Sequence, residues 1–328
     1  MPPASLADLT AVFVRIGLLS FGGPAAQISL MHREVVEKRG WLSEQDYLSA
    51  LSFCMLLPGP EAQQLVTYIG WLMHKRWGGI VAGALFVLPS LVLLIALSWV
   101  YIAYGDVPVI AGLFYGIKPA VTAIVVQAAH RIGSRALQNK VLWGIAGASF
   151  VAIFALDVPF PLIVGIAALV GFVGGKLSPE TFRVGGGHGS KKASYGPALI
   201  DDHTPTPEHA KFNIKGLIQV LLVGAILWAI PIALLNAAFG WEHTYTQMAW
   251  FFTKAAWLTF GGAYAVLPYV YQGAITDFAW VTPTQMMDGL ALGETTPGPL
   301  IMVVAFVAFV GGYMKALLGP ESLFLAGA

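Results

Sequence analysis

Long apolar stretches without charge constrain this chain before anything else does. Gly78–Tyr104 and Val141–Leu156 contain no Asp, Glu, Lys or Arg. About 20 apolar residues suffice for a helix to cross the hydrocarbon core of a bilayer. Several such runs occur, so a single leader or anchor does not account for them. Charged residues make up 11% of the 328, against about 25% in soluble domains, too few to cover a soluble surface of this size. An all-α, polytopic membrane protein follows. The first 20 residues lack a basic n-region and a small-residue cleavage site, so no removable secretion signal is expected. Net charge is +1 with dispersed basic residues, which argues against a nucleic-acid partner. Cys54 is the single cysteine, and the seven histidines show no zinc-type spacing, so neither a disulfide nor a metal site is expected. No nucleophile–base pair or cofactor motif supports a membrane-embedded enzyme, so catalytic residues and cofactors are predicted absent.

Apolar runs place spans at 79–104, 107–129, 141–156, 158–175, 214–237 and 247–269. Asp157-Val158-Pro159-Phe160-Pro161 marks a tight hairpin between the third and fourth. Composition changes over 176–213, where Gly185–Lys192 and Asp201–Pro207 bury nothing apolar, and this reads as a flexible polar linker. Basic residues collect at Lys75 and Arg76, at Arg131, Arg135 and Lys140, and in the linker at Lys176, Arg183, Lys191, Lys192, Lys211 and Lys215. Asp106, Asp157 and Glu242 mark the other ends. The positive-inside rule then makes the linker cytoplasmic.

The chain also repeats itself. Phe21-Gly22-Gly23 recurs as Phe260-Gly261-Gly262, Trp41 as Trp280 and Pro58-Gly59-Pro60 as Pro297-Gly298-Pro299, each 239 positions on. Arg15 and Lys254, and Ser20 and Thr259, stand at the same offset. Two Pro-Gly-Pro triplets in register point to duplication: a first unit at 1–175, the linker at 176–213 and a second unit at 214–328. Arg33, Lys38 and Arg39 lie in the first copy's loop, while the matching loop carries Asp277 and no basic residue. Opposite loop charge predicts inverted repeats, although Lys315 at the place of Arg76 runs against it. The register sets Ala328 opposite Pro89, so counterparts of 90–175 are expected to be missing from the second copy.

The repeated motifs break helices too short to span. Proline ends a helix interior but suits a first turn, so Pro24, Pro60 and Pro299 are expected to start half-helices within the membrane. Such irregular backbone is tolerated beside protein or a water-filled cavity. A helix start offers free N–H groups and about +0.5 of effective charge, which attracts anions. The predicted anion-binding set is Arg15, Ser20, Gly22, Gly23, Pro24, Pro58, Gly59, Pro60, Gln63, Lys118, Lys254, Thr259, Gly261, Gly262, Pro297, Gly298 and Pro299. Gln64 adds a donor close by. An intramembrane Arg or Lys costs about 2.5–3.5 kcal/mol on insertion scales, and hence marks function. Against this, Arg15 could snorkel to an interface, and Lys118 could sit in a break before Pro119. Glu61 and Glu294 flank the Pro-Gly-Pro breaks and are the proton-coupling candidates; Glu61 could instead be an acid complementing a helix dipole. Ser43 and Asp46 read as a helix start.

At these residues the sequence resembles the chromate ion transporter family, in its long two-domain form with the C-terminal end missing. Phe21-Gly22-Gly23-Pro24, Trp41-Leu42-Ser43, Pro58-Gly59-Pro60 with Glu61-Ala62-Gln63, Lys118-Pro119-Ala120 and the two second-copy motifs carry the likeness, which covers all but the linker. The resemblance implies an exporter of chromate in the plasma membrane, conferring chromate resistance, with proton coupling and a competing look-alike in sulfate. Residue chemistry alone reaches an anion transporter in contact with membrane lipid; a channel is the further alternative, and the sequence leaves room for a homo-oligomer.

Overall fold

The computed structural model describes residues 4–182, 198–201, 204–205, 207–260 and 263–328, apart from the side chains of Val121, Ala128, Arg131, Ile132, Arg135 and Pro320. Gly261 and Gly262, and in the linker Arg183, Gly185–Lys192, Asp202, His203 and Thr206, lie outside the described residues.

Among the described residues the regular structure is helical, with one isolated bridge between Leu42 and Ile200. The first copy contributes α1 (Leu6–Leu19), α2 (Gly23–His32), α3 (Glu44–Leu56) and α4 (Glu61–Tyr104). Next come α5 (Pro108–Ala136), α6 (Lys140–Leu156), α7 (Phe160–Leu177), the short α8 (Pro179–Phe182) and α9 (Ile214–Phe239). The second copy contributes α10 (Thr244–Leu258), α11 (Ala263–Tyr271), α12 (Pro283–Thr295), α13 (Val303–Met314) and α14 (Leu323–Gly327). Elements recur at the sequence offset: α3 and α12 correspond end to end, and π-helical turns Arg33–Glu37 and Gln272–Asp277 follow α2 and α11.

α4 is long enough for two helices, and it folds back on itself. Gln63 Nε2 donates to the Gly83 carbonyl at 3.1 Å, although a straight helix would hold residues 20 apart at about 30 Å. The reversal falls at His74 (φ −133°, ψ 33°) and Lys75 (φ 54°, ψ −147°). It turns residues 61–73 antiparallel to 76–104. Gly70 and Gly78 meet across the hairpin, where a Cβ on Gly70 would lie 2.3 Å from the Gly78 carbonyl oxygen. Only backbone fits at that distance.

The spans expected at 79–104, 107–129, 141–156, 158–175 and 214–237 appear as the second limb of α4 and as α5, α6, α7 and α9. By length and apolarity α4, α5, α7 and α9 can cross a membrane, and α6 is a shorter apolar helix. α5 continues through Pro119, so Lys118 does not sit in a break. The expected span 247–269 is corrected: it is two helices, α10 and α11, and α10 stops because Thr259 is extended (φ −80°, ψ 96°).

Two apolar cores form, the second of which also takes in Leu94 of α4 and Phe114 of α5. The first gathers Leu9, Phe13, Ile16, Leu65, Ile69 and Phe86 among others; the second gathers Phe251, Val266, Trp280, Phe306 and Val310. α6 and α9 bury no residue, and their large apolar side chains are exposed, as lipid-facing helices require.

The linker expected to be flexible throughout is docked near its end. Leu199 N–H donates to the Gly40 carbonyl (2.7 Å), Ile200 N–H to the Trp41 carbonyl (3.1 Å) and Ser43 N–H to the Ile200 carbonyl (2.9 Å). Ile200 and Ala210 pack on the first core, so short apolar residues within a polar segment were enough to seat it. On the other copy, Gln272 accepts from Phe160 N–H (3.2 Å) and donates to the Asp157 carbonyl (3.4 Å). The first copy's loop is therefore bonded to the segment that follows α7, and the second copy's turn to the segment that precedes it. The 18 residues of α7 measure about 27 Å.

Gly70→Val should abolish the hairpin, because the clash is with backbone that cannot rotate away. The expected result is loss of a monodisperse peak in size-exclusion chromatography, with Gly112→Val, which faces open space, unchanged.

Candidate functional site

The four broken segments meet. α1 ends at Ser20 and α10 at Thr259, leaving carbonyls without a helical partner. Each is taken by the other copy: Gly298 N–H donates to the Ser20 carbonyl at 3.0 Å, and Gly59 N–H to the Thr259 carbonyl at 2.7 Å. The two bonds exchange when the copies are exchanged. The glycines can make them because their φ values, +119° at Gly59 and +103° at Gly298, lie where other residues are strained. The Ser20 and Thr259 hydroxyls do not face the crossing as free donors. They bond back to the carbonyls of Ile16 (2.5 Å) and Ala255 (2.7 Å).

The same region exposes helix starts. Side chains of Ser5, Ser43, Asn139, Asn213, His243 and Thr282 cap α1, α3, α6, α9, α10 and α12. α2, α4 and the 3-10 turn Leu300–Met302 that leads into α13 begin after Gly22, Pro60 and Pro299 with no side-chain cap. Pro24 lies in the first turn of α2, as expected, while Pro60 and Pro299 stand just before their helices. The crossing thus pairs the Ser20 and Thr259 carbonyls, while the starts after Gly22, Pro60 and Pro299 carry no side-chain cap; α3 and α12 end beside them at Leu56 and Thr295.

Buried polar side chains surround it. Gln27 Nε2 donates to the Gly298 carbonyl (2.5 Å), and Gln64 Nε2 to the Pro58 carbonyl (2.6 Å). Carbonyl acceptors fix these amides, and that of Gln63, with Oε1 pointing elsewhere. Gln27 Oε1, Gln63 Oε1, Gln64 Oε1, Glu61 Oε2 and Ser90 Oγ are buried without a hydrogen-bond partner. Ser90 sits against Gly298, where a Cβ would come within 2.5 Å of the serine Cβ. Each of these oxygens can accept a hydrogen bond. Tyr264 OH donates to Glu294 Oε1 at 2.5 Å and lies beside Gly23, so it links the carboxylate of one copy to the break of the other. Glu61 is the first residue of α4, a position that also suits a dipole-complementing acid.

The predicted cations are spread over three places. Arg15 is half exposed, with Nε 3.9 Å from Glu34 Oε1. Glu34 is fully buried and also receives Lys38 (2.7 Å) and Arg39 (2.5 Å). Burial pushes its carboxyl up, but the hydrogen bonds from Lys38 and Arg39 and the charge of Arg15 outweigh it and hold Glu34 below the usual range. Lys254 is exposed and lines a cavity of about 670 Å³ with Trp228, Trp250, Trp257 and Asp277. Lys118 lies 3.0 Å from Asp288 Oδ1. Ser20, Thr259 and both Pro-Gly-Pro triplets come together, then, while the three charges do not join them in one cluster. Gly261 and Gly262 lie outside the described residues.

Sequence reasoning missed Gln27, Glu34, Ser90, Tyr264 and Asp288. Asp288 carried a signal, a carboxylate inside the run Met286-Met287-Asp288-Gly289-Leu290-Ala291-Leu292. Gln27 and Ser90 had none, because their partner Gly298 is supplied by the other copy.

Residues 7–172 and 246–328 match the family model described as Chromate transporter. A chromate transport protein of Pseudomonas aeruginosa is 35% identical over 99% of this chain and 71% of its own length. A probable chromate transport protein of Synechococcus elongatus is 30% identical over 99% and 74%. A chromate transport protein of Cupriavidus metallidurans is 29% identical over 99% and 72%. No solved structure matches the chain.

Two outcomes follow from the geometry. Gly298→Ala should lower the melting temperature more than Gly59→Ala: its new Cβ meets the rigid Cβ of Ser90, whereas that of Gly59 meets the movable end of Gln64, 2.8 Å away. For Glu34→Gln, a carboxyl depressed in the folded state contributes stability above its unfolded value of about 4.3 and loses it as pH falls through the folded value. The melting-temperature gap to wild type should be full at pH 7 and close at acid pH.

Proposed function

The chain belongs to the chromate transporter family, and we propose that it exports chromate across the plasma membrane through the crossing of its broken helices, conferring chromate resistance. The observation that carries this reading is the cluster of helix starts without side-chain caps at Gly22, Pro60 and Pro299, beside carbonyl ends already bonded across the copies. Each free start offers about +0.5 of effective charge, without the desolvation cost of a buried cation. Tetrahedral oxyanions share the geometry such ends recognise, so sulfate competes for the same place.

The two copies run in opposite senses through the membrane. Supporting this are the loop charges and the bonding of the two loops to segments flanking opposite ends of α7. The linker, bonded to the basic first loop, is cytoplasmic. Arg15 and Lys254, exposed at equivalent positions of inverted copies, then attract the anion at opposite faces rather than binding it at the crossing. Glu61 and Glu294 border the path and take up protons during the cycle.

Energetics favour export. A divalent anion leaving a negative interior gains about 4.6 kcal/mol per 100 mV, twice the single-charge value. Chromate accumulation in everted vesicles should saturate, fall with excess sulfate and rise with an imposed interior-positive potential. Accumulation that grows linearly with concentration and shows no counterflow would instead mark a channel, and none at all would remove the oxyanion reading. In the same assay Arg15→Gln and Lys254→Gln together should raise the KM with a smaller change in kcat.

A further inference from the structure

α12 carries a carboxylate outside the crossing. Asp288 is six residues before Glu294, about 9 Å along the helix axis, and is 3% exposed. Tyr101 OH, on the second limb of α4, donates to Asp288 Oδ2 at 2.9 Å. Lys118 Nζ, on α5, is 3.0 Å from Oδ1. That contact is one of charge and not a hydrogen bond, for Oδ1 is buried with no hydrogen-bond partner. α13 faces this stretch with Phe306 against Gly289. Lys118 and Tyr101 are thus the titratable groups presented to Asp288 by the helices packed on α12.

The two charges are unequally accessible. The Asp288 side chain is 4% exposed and that of Lys118 is 34% exposed. The ammonium is open on one side, while the carboxylate is sealed. An ammonium drawn towards a divalent anion leaves behind a sealed carboxylate without a counter-charge, which is costly enough that such groups neutralise by taking up a proton. Oδ1 has the vacant lone pair to receive it, while Oδ2 stays committed to Tyr101.

We propose that Asp288 is the proton-binding group linked to anion occupancy through Lys118: an oxyanion that engages the ammonium releases Asp288, and a proton from solvent forms an O–H bond at Oδ1. This rests on the oxyanion transport reading and extends it. The ion pair begins neutral. With a divalent anion on Lys118 and a protonated Asp288, the site carries one negative charge, so anion and proton bind together. Release of both at the other face moves one net negative charge, half the gain of the bare divalent anion.

The test is proton uptake on anion binding, read with a pH indicator in weakly buffered nanodiscs holding the full chain, with sulfate and chromate as probes. Asp288→Asn should bind the anion and take up about one proton fewer per anion than wild type, any remainder belonging to Glu61 and Glu294. Lys118→Gln should bind about tenfold more weakly or worse. The double variant Lys118→Gln, Asp288→Asn leaves no uncompensated charge and controls for folding. A merely structural ion pair would not change the proton count. Anion binding by wild type without proton uptake overturns the proposal, as does undiminished uptake in Asp288→Asn. Wild type that binds neither probe removes the transport reading, and the proposal with it.

Discussion

The backbone bonds from Gly59 to Thr259 and from Gly298 to Ser20 join the two halves of this protein at their weakest points. A helix that stops inside a membrane leaves polar backbone with no water to satisfy it, at several kcal/mol for each unpaired group. The backbone donors to Ser20 and Thr259 come from the other copy, and Gln27 Nε2 adds a longer contact of 3.4 Å to the Ser20 carbonyl from the same copy. The requirement for glycine at both donors, and the short reach of Ser90 and Gln27 to Gly298, follow from that mutual repair.

Around this crossing the chain is organised in two layers. α1 to α4 and α10 to α14 form the two apolar cores, packed as tightly as Gly70 against Gly78 or Gly311 against Met248 and Trp280. α5, α6, α7 and α9 lie outside and present apolar side chains outward. They touch the interior at polar points, Lys118 with Asp288, Phe160 and Asp157 with Gln272, and Gln219 with Arg76, and at apolar ones, Phe114 against Tyr101 and Phe160 against Tyr269. Between α5 and α6 on one side and α11 and α12 on the other lies a cavity of about 910 Å³, largely apolar, which reaches Tyr264.

The placement of charge follows the same division. Arg15, Lys38 and Arg39 converge on the buried Glu34 at the loop end of the first copy, where their cost is offset by mutual pairing. At the crossing the backbone contributes partial charges from helix ends. The buried ionisable groups nearby are the carboxylates Glu61 and Glu294, with the Lys118–Asp288 pair further along α12.

The sequence by itself determined the membrane class, the helical spans outside the core, the recurrence at 239 and the breaks at Gly22-Gly23-Pro24 and the Pro-Gly-Pro triplets. These are properties of local composition: apolar length fixes a span, and glycine and proline fix a break, whatever lies nearby. The tertiary structure alone decided the reversal of α4 at His74 and Lys75, where no proline or glycine announced it. It also decided the split of 247–269, the docking of Ile200, and the partners of Gln27, Ser90, Lys118 and Arg15. Each of these depends on groups from distant segments: Arg15 looks free on its own helix until Glu34 folds beneath it, and Lys118 until α12 brings Asp288 alongside. A charge or a break can be read from its neighbours in sequence, but what satisfies it is set by whichever segment the fold places within about 3 Å.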